Sequence, residues 1–299
     1  MKKQRKIFSE MNSGALIAND MKSVKYKILY LVLCLALLLV IAMVVVPALW
    51  MVMTCFKEPA ELASVHQSFF PTQFRFEKFA TTWARFKFHK YFFNTLVMSV
   101  GTVVFDVVIN GFAGYVLSRL KPRGAKLYFG MVTVLILVNA PIIPLYMTFV
   151  DFPIGHFSML GTYWPMWMMA GANMFNILLF KTSFDAISVS LVEAAKIDGA
   201  SPIRIFTSII IPMSVPVITT VAIFTFNGSF GSFFWPYLIV PDSSKRTLGV
   251  VLYAVRGAAD LSLDIKMIAT FICIIPQLLV FILFQKKIIG GINLGGVKG

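Results

Sequence analysis

Three cysteines in 299 residues, Cys34, Cys55 and Cys273, are too few and too far apart for a disulfide framework. They form no CxxC pair, so no zinc site is suggested either. Charge is scarce as well. Asp, Glu, Lys and Arg make up 13% of the chain, where an average soluble domain has about a quarter. No Gly-Lys dipeptide occurs, which excludes a P-loop, and there is no HExxH. The three histidines, His66, His89 and His156, form no cluster, and no nucleophile is paired with a base. The chain is therefore not expected to be an enzyme or to hold a metal or cofactor. What fills it instead is hydrocarbon: 58% of residues are hydrophobic, with 29 Phe and 16 Met, and the mean hydropathy is +0.82. A soluble domain of this length cannot hide so much apolar surface. The expectation is an all-α, polytopic membrane protein. The net charge of +14 then reflects the positive-inside bias of such proteins, with no nucleic-acid partner.

A hydrocarbon core about 30 Å thick needs about 20 helical residues. Six stretches qualify: 28–53, 94–117, 127–150, 163–180, 206–226 and 267–284. The first is too long for a signal-peptide core and no A-x-A site follows it. Alternate connections carry 17 Lys and Arg in 76 residues on one side and 10 in 92 on the other. The denser side is expected to be cytoplasmic, and with it both termini. This divides the chain into a cytoplasmic segment 1–27, a six-helix transmembrane domain 28–284 and a cytoplasmic Gly-rich tail 285–299. Residues 75–90 run against the rule, being basic yet predicted external. Phe76, Phe79, Trp83 and Phe86 recur there at helical spacing, interleaved with Arg75, Lys78, Arg85, Lys87 and Lys90. That pattern suits a helix at the membrane surface. It serves either as a connecting helix packed on the spans or as a docking surface for an external partner.

The most informative segment lies between the fourth and fifth predicted spans, at 188–205. Leu191 to Ile197 is expected to be a short helix of good formers, with the acid Glu193 near its start. Gly199 accepts the positive φ of a sharp turn, and Pro202 fits the first turn of the next helix. The result is a helix–turn–helix outside the bilayer on the basic side, an element of little use unless something docks on it.

This segment resembles the EAA loop of the inner-membrane subunits of bacterial ABC importers. Glu193, Ala194, Ala195, Gly199, Ile209 and Pro212 match that pattern at its spacing, with Ile211 where the pattern has Leu. Asp198-Gly199-Ala200 adds a form frequent in sugar importers. Phe175-Asn176-Ile177 with Phe184, the aromatic stretch from Phe224 to Pro236, and the glycine-rich tail from Gly290 to Gly299 extend the likeness to maltose-type second permease subunits. Together these cover most of residues 90–299. Ser188 departs from the usual Pro, and Phe230-Gly231 from the usual Trp-Asn. The resemblance implies a permease in the bacterial cytoplasmic membrane that pairs with a second, homologous permease. Two ATPase subunits, which bind ATP and Mg, would dock on Glu193, Ala194, Ala195, Asp198, Gly199, Ala200 and Ser201. An extracellular solute-binding protein would deliver a sugar or oligosaccharide. A polyol, sugar phosphate or peptide is the alternative solute, and an ion-coupled secondary transporter the alternative class.

Asp106 is the one acid or base inside a predicted span, with Asn110 one turn later on the same face. Three readings stand: packing through an interhelical hydrogen bond, a place on the solute path, or a proton-coupling site. Asn139, Asn173, Asn176 and Asn227 serve as interhelical glue or as hydroxyl-binding groups. Asp106, Asn110, Asn139, Asn176 and Asn227 are thus the candidate solute path. Pro141, Pro144, Pro212 and Pro216 are expected to break the third and fifth spans. Phe233 to Leu238 is too apolar for a free loop, and Pro241 to Ser244 reads as a turn. By resemblance, Trp235, Tyr237 and Asp242 are candidate contacts for the binding protein, alongside a re-entrant segment packed on the bundle.

Overall fold

The computed structural model describes residues 24–65, 68–135 and 141–292, with side chains to residue 284. Regular structure among these residues is helical; Phe152 and Phe157 form an isolated antiparallel bridge. The chain divides into two units, one ending at Arg75 and one beginning at Phe76.

The first unit is built on helix α1, Val24–Thr54. It is apolar on every face and exposed along nearly its whole length, the signature of a helix whose solvent is lipid. After α1 the chain folds on itself. Trp50 meets Phe69 edge to face at 5.5 Å, and the Lys57 ammonium sits 4.1 Å over the Trp50 ring. Lys57 also donates to the Ser68 carbonyl, and Arg75 pairs with Glu58 at 2.9 Å. A short helix α2, Pro59–Ala63, lies between.

The second unit begins with α3, Glu77–Arg85, followed by the long α4, Phe88–Leu120. Two π turns interrupt α4, at Asp106–Asn110 and Val116–Leu120. Then come α5, Ala125–Leu135, and α6, Ile142–Val150. Both fall largely within the predicted third span, 127–150, of which residues 136–140 lie outside the described residues. Pro141 stands just ahead of α6 and Pro144 in its first turn, where a missing N–H is harmless. Asn139 lies outside the described residues.

The predicted fourth span, 163–180, is two helices: α7, Trp164–Gly171, and α8, Met174–Asp185. The reason is local. Asn173 caps α8, its side chain accepting from the Asn176 amide at 3.1 Å, and this ends the apolar run. Next are α9, Val189–Ile197, and α10, Pro202–Met213. A 79° bend at Ser214, between Pro212 and Pro216, leads into α11, Val215–Phe230. The short α12, Phe234–Ile239, and α13, Leu248–Gly257, precede α14, Leu263–Ile292. Among the described residues three helices, α1, α4 and α14, are long and apolar enough to cross a membrane; counting each of two bent pairs, α8 with α9 and α10 with α11, as one span raises this to five.

Helix α4 sits against α7, α8, α11 and α13. Its approach to α8 is set by Gly114, where a Cβ would come within 2.7 Å of the Phe180 Cβ and 3.0 Å of the Lys181 amide nitrogen. The aromatic segment 76–86 is realised as α3, and it packs on α14. Lys78 forms an ion pair with Asp264, and Phe79 meets Phe271 at 6.0 Å. The connecting-helix reading thus describes its inner face.

Candidate functional site

The EAA-like segment is a closed piece of helix-capping chemistry. Helix α9 begins at Val189, two residues before the expected start. Glu193 therefore sits in mid-helix and not in the first turn, which corrects the dipole argument made from sequence. The other end conforms. Gly199 has φ +76°, the left-handed region where a side chain is strained. The Gly199 amide donates to the Lys196 carbonyl at 3.0 Å and the Ala200 amide to the Ala195 carbonyl at 2.9 Å. This is a Schellman motif, in which the residues three before and two after the cap also touch through apolar atoms. Ala195 and Ala200, which hold those two positions, both pack on the core of Phe180, Phe184, Val192, Ile205 and Ile210. Ser201 then caps α10, accepting from the Arg204 amide at 3.3 Å, with Pro202 in the first helical position.

The seven candidate coupling residues thus divide. Ala195 and Ala200 face inward, while Glu193, Ala194, Asp198, Gly199 and Ser201 are exposed. The outward face also carries large apolar side chains: Val189 is 56% exposed, Ile197 86% and Ile203 69%. A Cβ added at Gly199 would meet nothing within 4 Å beyond its own chain neighbours, so the space there is open. Exposed apolar side chains of this size make the turn a candidate interaction site.

Both feet of α9 are held by one stretch of α4, a feature that was not read from the sequence. The Arg119 guanidinium donates to the Phe184 and Ile187 carbonyls at the end of α8. Ser118 Oγ donates to Asp185 Oδ1 at 2.7 Å, and Lys181 Nζ reaches Asp185 Oδ2 at 2.6 Å. On the far side, the Tyr115 hydroxyl donates to the Pro202 carbonyl at 2.9 Å. Their signal in sequence was only a Tyr, a Ser and an Arg near the end of an apolar run; the partners lie 65–87 residues away.

The second constellation centres on Asp106, which is 1% exposed. Asn110 Nδ2 donates to Asp106 Oδ1 at 2.5 Å and to the Ala170 carbonyl at 2.8 Å. Asn176 Nδ2 reaches both carboxyl oxygens, at 3.0 and 2.8 Å, and Thr225 Oγ1 donates to Oδ2. One carboxyl group therefore joins α4, α8 and α11, with Asn110 adding α7. Asp106, Asn176 and Thr225 form part of the wall of a cavity of about 590 Å³. Met98, Met166, Met169 and Trp235 supply apolar surface, and Asn173 and Ser229 further polar groups. No Lys, Arg or His is on this wall among the described residues.

Of the candidate path residues, Asp106 and Asn176 are on the wall and Asn110 stands behind it. Asn227 is not on the wall; its Oδ1 is buried without a partner. Trp235 lines the cavity and packs edge to face on Phe149 at 6.3 Å, whereas Tyr237 points elsewhere, 5.8 Å from the Tyr253 ring. Asp242 closes the expected turn, accepting from the Ser244 amide at 2.7 Å and hydroxyl at 2.6 Å. Those bonds, the hydroxyl first, hold its carboxyl below the usual carboxylate range. Among the described residues no group of His, Cys, Asp and Glu could hold a metal ion.

A helical membrane protein with a largely apolar cavity that carries a few polar groups, and with an exposed, rigidly held helix–turn–helix, has the parts a transporter needs. Comparison with known proteins agrees. The family described as "Binding-protein-dependent transport system inner membrane component" matches residues 110–292, and this chain belongs to it. It is a multi-pass permease component and not an enzyme. The diacetylchitobiose uptake system permease protein NgcG of Streptomyces coelicolor is 31% identical over 84% of this chain and 83% of its own length. The galactooligosaccharides transport system permease protein GanQ of Bacillus subtilis is 30% identical over 94% and 99%. The fold matches a chain of a bacterial ABC transporter involved in import of the acidic polysaccharide alginate, with a TM-score of 0.79 and 22% identity over 88% and 98% of the two chains.

Proposed function

We propose that this chain is one of two homologous permease subunits of an ATP-driven importer, with six membrane passes and both termini in the cytoplasm. Two ATPase subunits bind ATP and dock on α9 and the turn after it; an external binding protein delivers the solute. The observation that carries this reading is the two-sided character of α9. Its inner face is packed and both its feet are gripped by α4, so a push on the outer face moves α4 and α8 together. Those same helices carry Asp106 and Asn176 on the cavity wall. Motion at the turn therefore reaches the cavity as a rigid-body displacement.

The solute class follows from the wall and the relatives together. A cavity of about 590 Å³ is of ordinary small-molecule size. Its wall offers amides, hydroxyls and a Trp but no cation, which suits an uncharged, hydroxyl-rich solute. A neutral oligosaccharide fits, as the named solutes of the relatives suggest; a sugar phosphate does not. Trp235 belongs to this path. Tyr237 and Asp242, both exposed, remain the candidates for the binding-protein contact. The test is uptake of labelled neutral oligosaccharides into vesicles holding the whole transporter. Dependence on internal ATP and on the binding protein is expected. Uptake driven by a proton or sodium gradient without ATP would overturn the reading.

A further inference from the structure

The basic residues at 85–90, which run against the charge bias of the predicted external side, adjoin an apolar groove that transport does not use. Helix α3 turns Phe79, Ala80 and Trp83 toward α4 and α14. With Phe92, Pro276 and Leu279 they enclose about 400 Å³. The groove lies within the second unit, and every residue on its wall is apolar. The Lys78–Asp264 ion pair and the Phe79–Phe271 contact fix α3 to α14 and so hold the groove open as a formed site. Residues 84–91 connect two wall residues, Trp83 and Phe92, and therefore border the groove. They carry Arg85 and Lys87, both exposed and in no ion pair among the described residues. Lys90 lies within electrostatic reach of Asp242 and is not counted. The segment 84–91 holds no acid.

We propose that this groove binds an anionic phospholipid, with an acyl chain against Phe79, Trp83 and Leu279 and the headgroup phosphate at Arg85 and Lys87. The occupant follows from the pairing of features. A wall without one polar residue takes hydrocarbon, and cations with no ion-pair partner at its border take an anion; Arg85, over the Phe86 ring at 5.6 Å, still has its guanidinium edge to offer. A phospholipid supplies both in one molecule, with the chain in the bilayer and the phosphate at its surface. The Trp at the border fits the interfacial position that indole rings favour. This also gives the basic residues of a predicted external segment a local reason. They answer lipid headgroups and not the rule that orients the chain.

The experiment uses the purified transporter containing this chain, exchanged into nanodiscs of phosphatidylcholine alone or with phosphatidylglycerol, and native mass spectrometry of what it retains. The wild type is expected to retain phosphatidylglycerol in preference to phosphatidylcholine. A surface cation contributes about fivefold to such binding, so Arg85→Gln and Lys87→Gln should each weaken the preference by about that factor. Ala80→Phe, which fills the groove, should remove retained lipid while the preference of bulk lipid around the protein stays unchanged. Equal retention of the two lipids, or a preference untouched by all three variants, would overturn the proposal. So would an efficient cross-link from Ala80→Cys to another protein subunit, since a helix would then occupy the groove.

Discussion

The turn after α9 and the Asp106 cluster are both polar constructions joining several helices, yet they are finished differently. At Asp106 both oxygens accept from neighbouring side chains, and the group is sealed from solvent. At the turn the inner half is just as closed, by the capping bonds and by Tyr115, Ser118 and Arg119. The outer half is left bare, with Ile197 and Ile203 exposed. The carboxyl of Asp106 ties its helices together from within, although Asn110 Oδ1 is left without a partner, whereas the turn holds its own shape and leaves its outer face open. We read the first as a lock on the cavity wall and propose the second as a dock.

The largest effect is expected where the lock is removed. Asp106→Ala leaves the donors of Asn110, Asn176 and Thr225 without their shared acceptor, at a cost of about 1–3 kcal/mol for each that stays buried and unmade. The assembled complex should lose thermal stability and transport together. Asp106→Asn should fall between this and the wild type, because an amide accepts on one oxygen only. If Asp106→Ala keeps full thermal stability yet loses uptake, the cluster belongs to the solute path and the lock reading fails.

Next comes Gly199→Asp. A side chain at φ +76° adds strain of about 1–2 kcal/mol confined to the turn. Expression and membrane insertion should remain near normal, while co-purification of the ATPase or its coupling to uptake is lost. Wild-type uptake with the ATPase bound would remove the dock from the account.

Arg119→Ala should be milder. The hydrogen bonds of a charged donor are worth about 1.5–3 kcal/mol each, and two carbonyls lose theirs. The expected signature is a split: ATP hydrolysis continues while solute moved per ATP falls. A proportionate fall in both would mean that Arg119 only supports the fold.

The smallest effect is expected at Ser244→Ala, a control remote from both networks. The folded Asp242 carboxyl is depressed by Ser244, so its contribution is present above the unfolded carboxylate range and lost as pH falls through the folded one. Removing Ser244 should shift the Asp242 titration upward, read by NMR, with no change in coupling.

Some of this was legible in the chain. Asp106 and Asn110 could be placed on one helical face because four residues separate them. Asn176 and Thr225 could not be joined to them, since 70 and 119 residues intervene and only tertiary packing closes that distance. Gly199 and Pro202 announced the turn through their own backbone limits. The sequence places the start of α9 two residues late because Val189 and Ser190 are weak helix formers and exposed; the core contacts on either side of them are made by Ile187 and Val192. Pro212 and Pro216 signalled a break, but not its 79° angle, which neighbouring helices set. Asn173 reads in sequence as interhelical glue or a hydroxyl-binding group; the structure adds that its side chain caps α8, dividing an apolar stretch, and that it lines the cavity.

The central claim is that the outer face of α9 and its turn touches the ATPase. Single cysteines test it most directly. Ile197→Cys stands on the bare face and Val192→Cys on the packed one. With a short bifunctional thiol reagent in the assembled, cysteine-depleted transporter, Ile197→Cys should cross-link to an ATPase subunit in a nucleotide-dependent way, and Val192→Cys should not. An active transporter in which Ile197→Cys forms no such adduct, and in which a bulky maleimide there leaves uptake unchanged, would contradict the account.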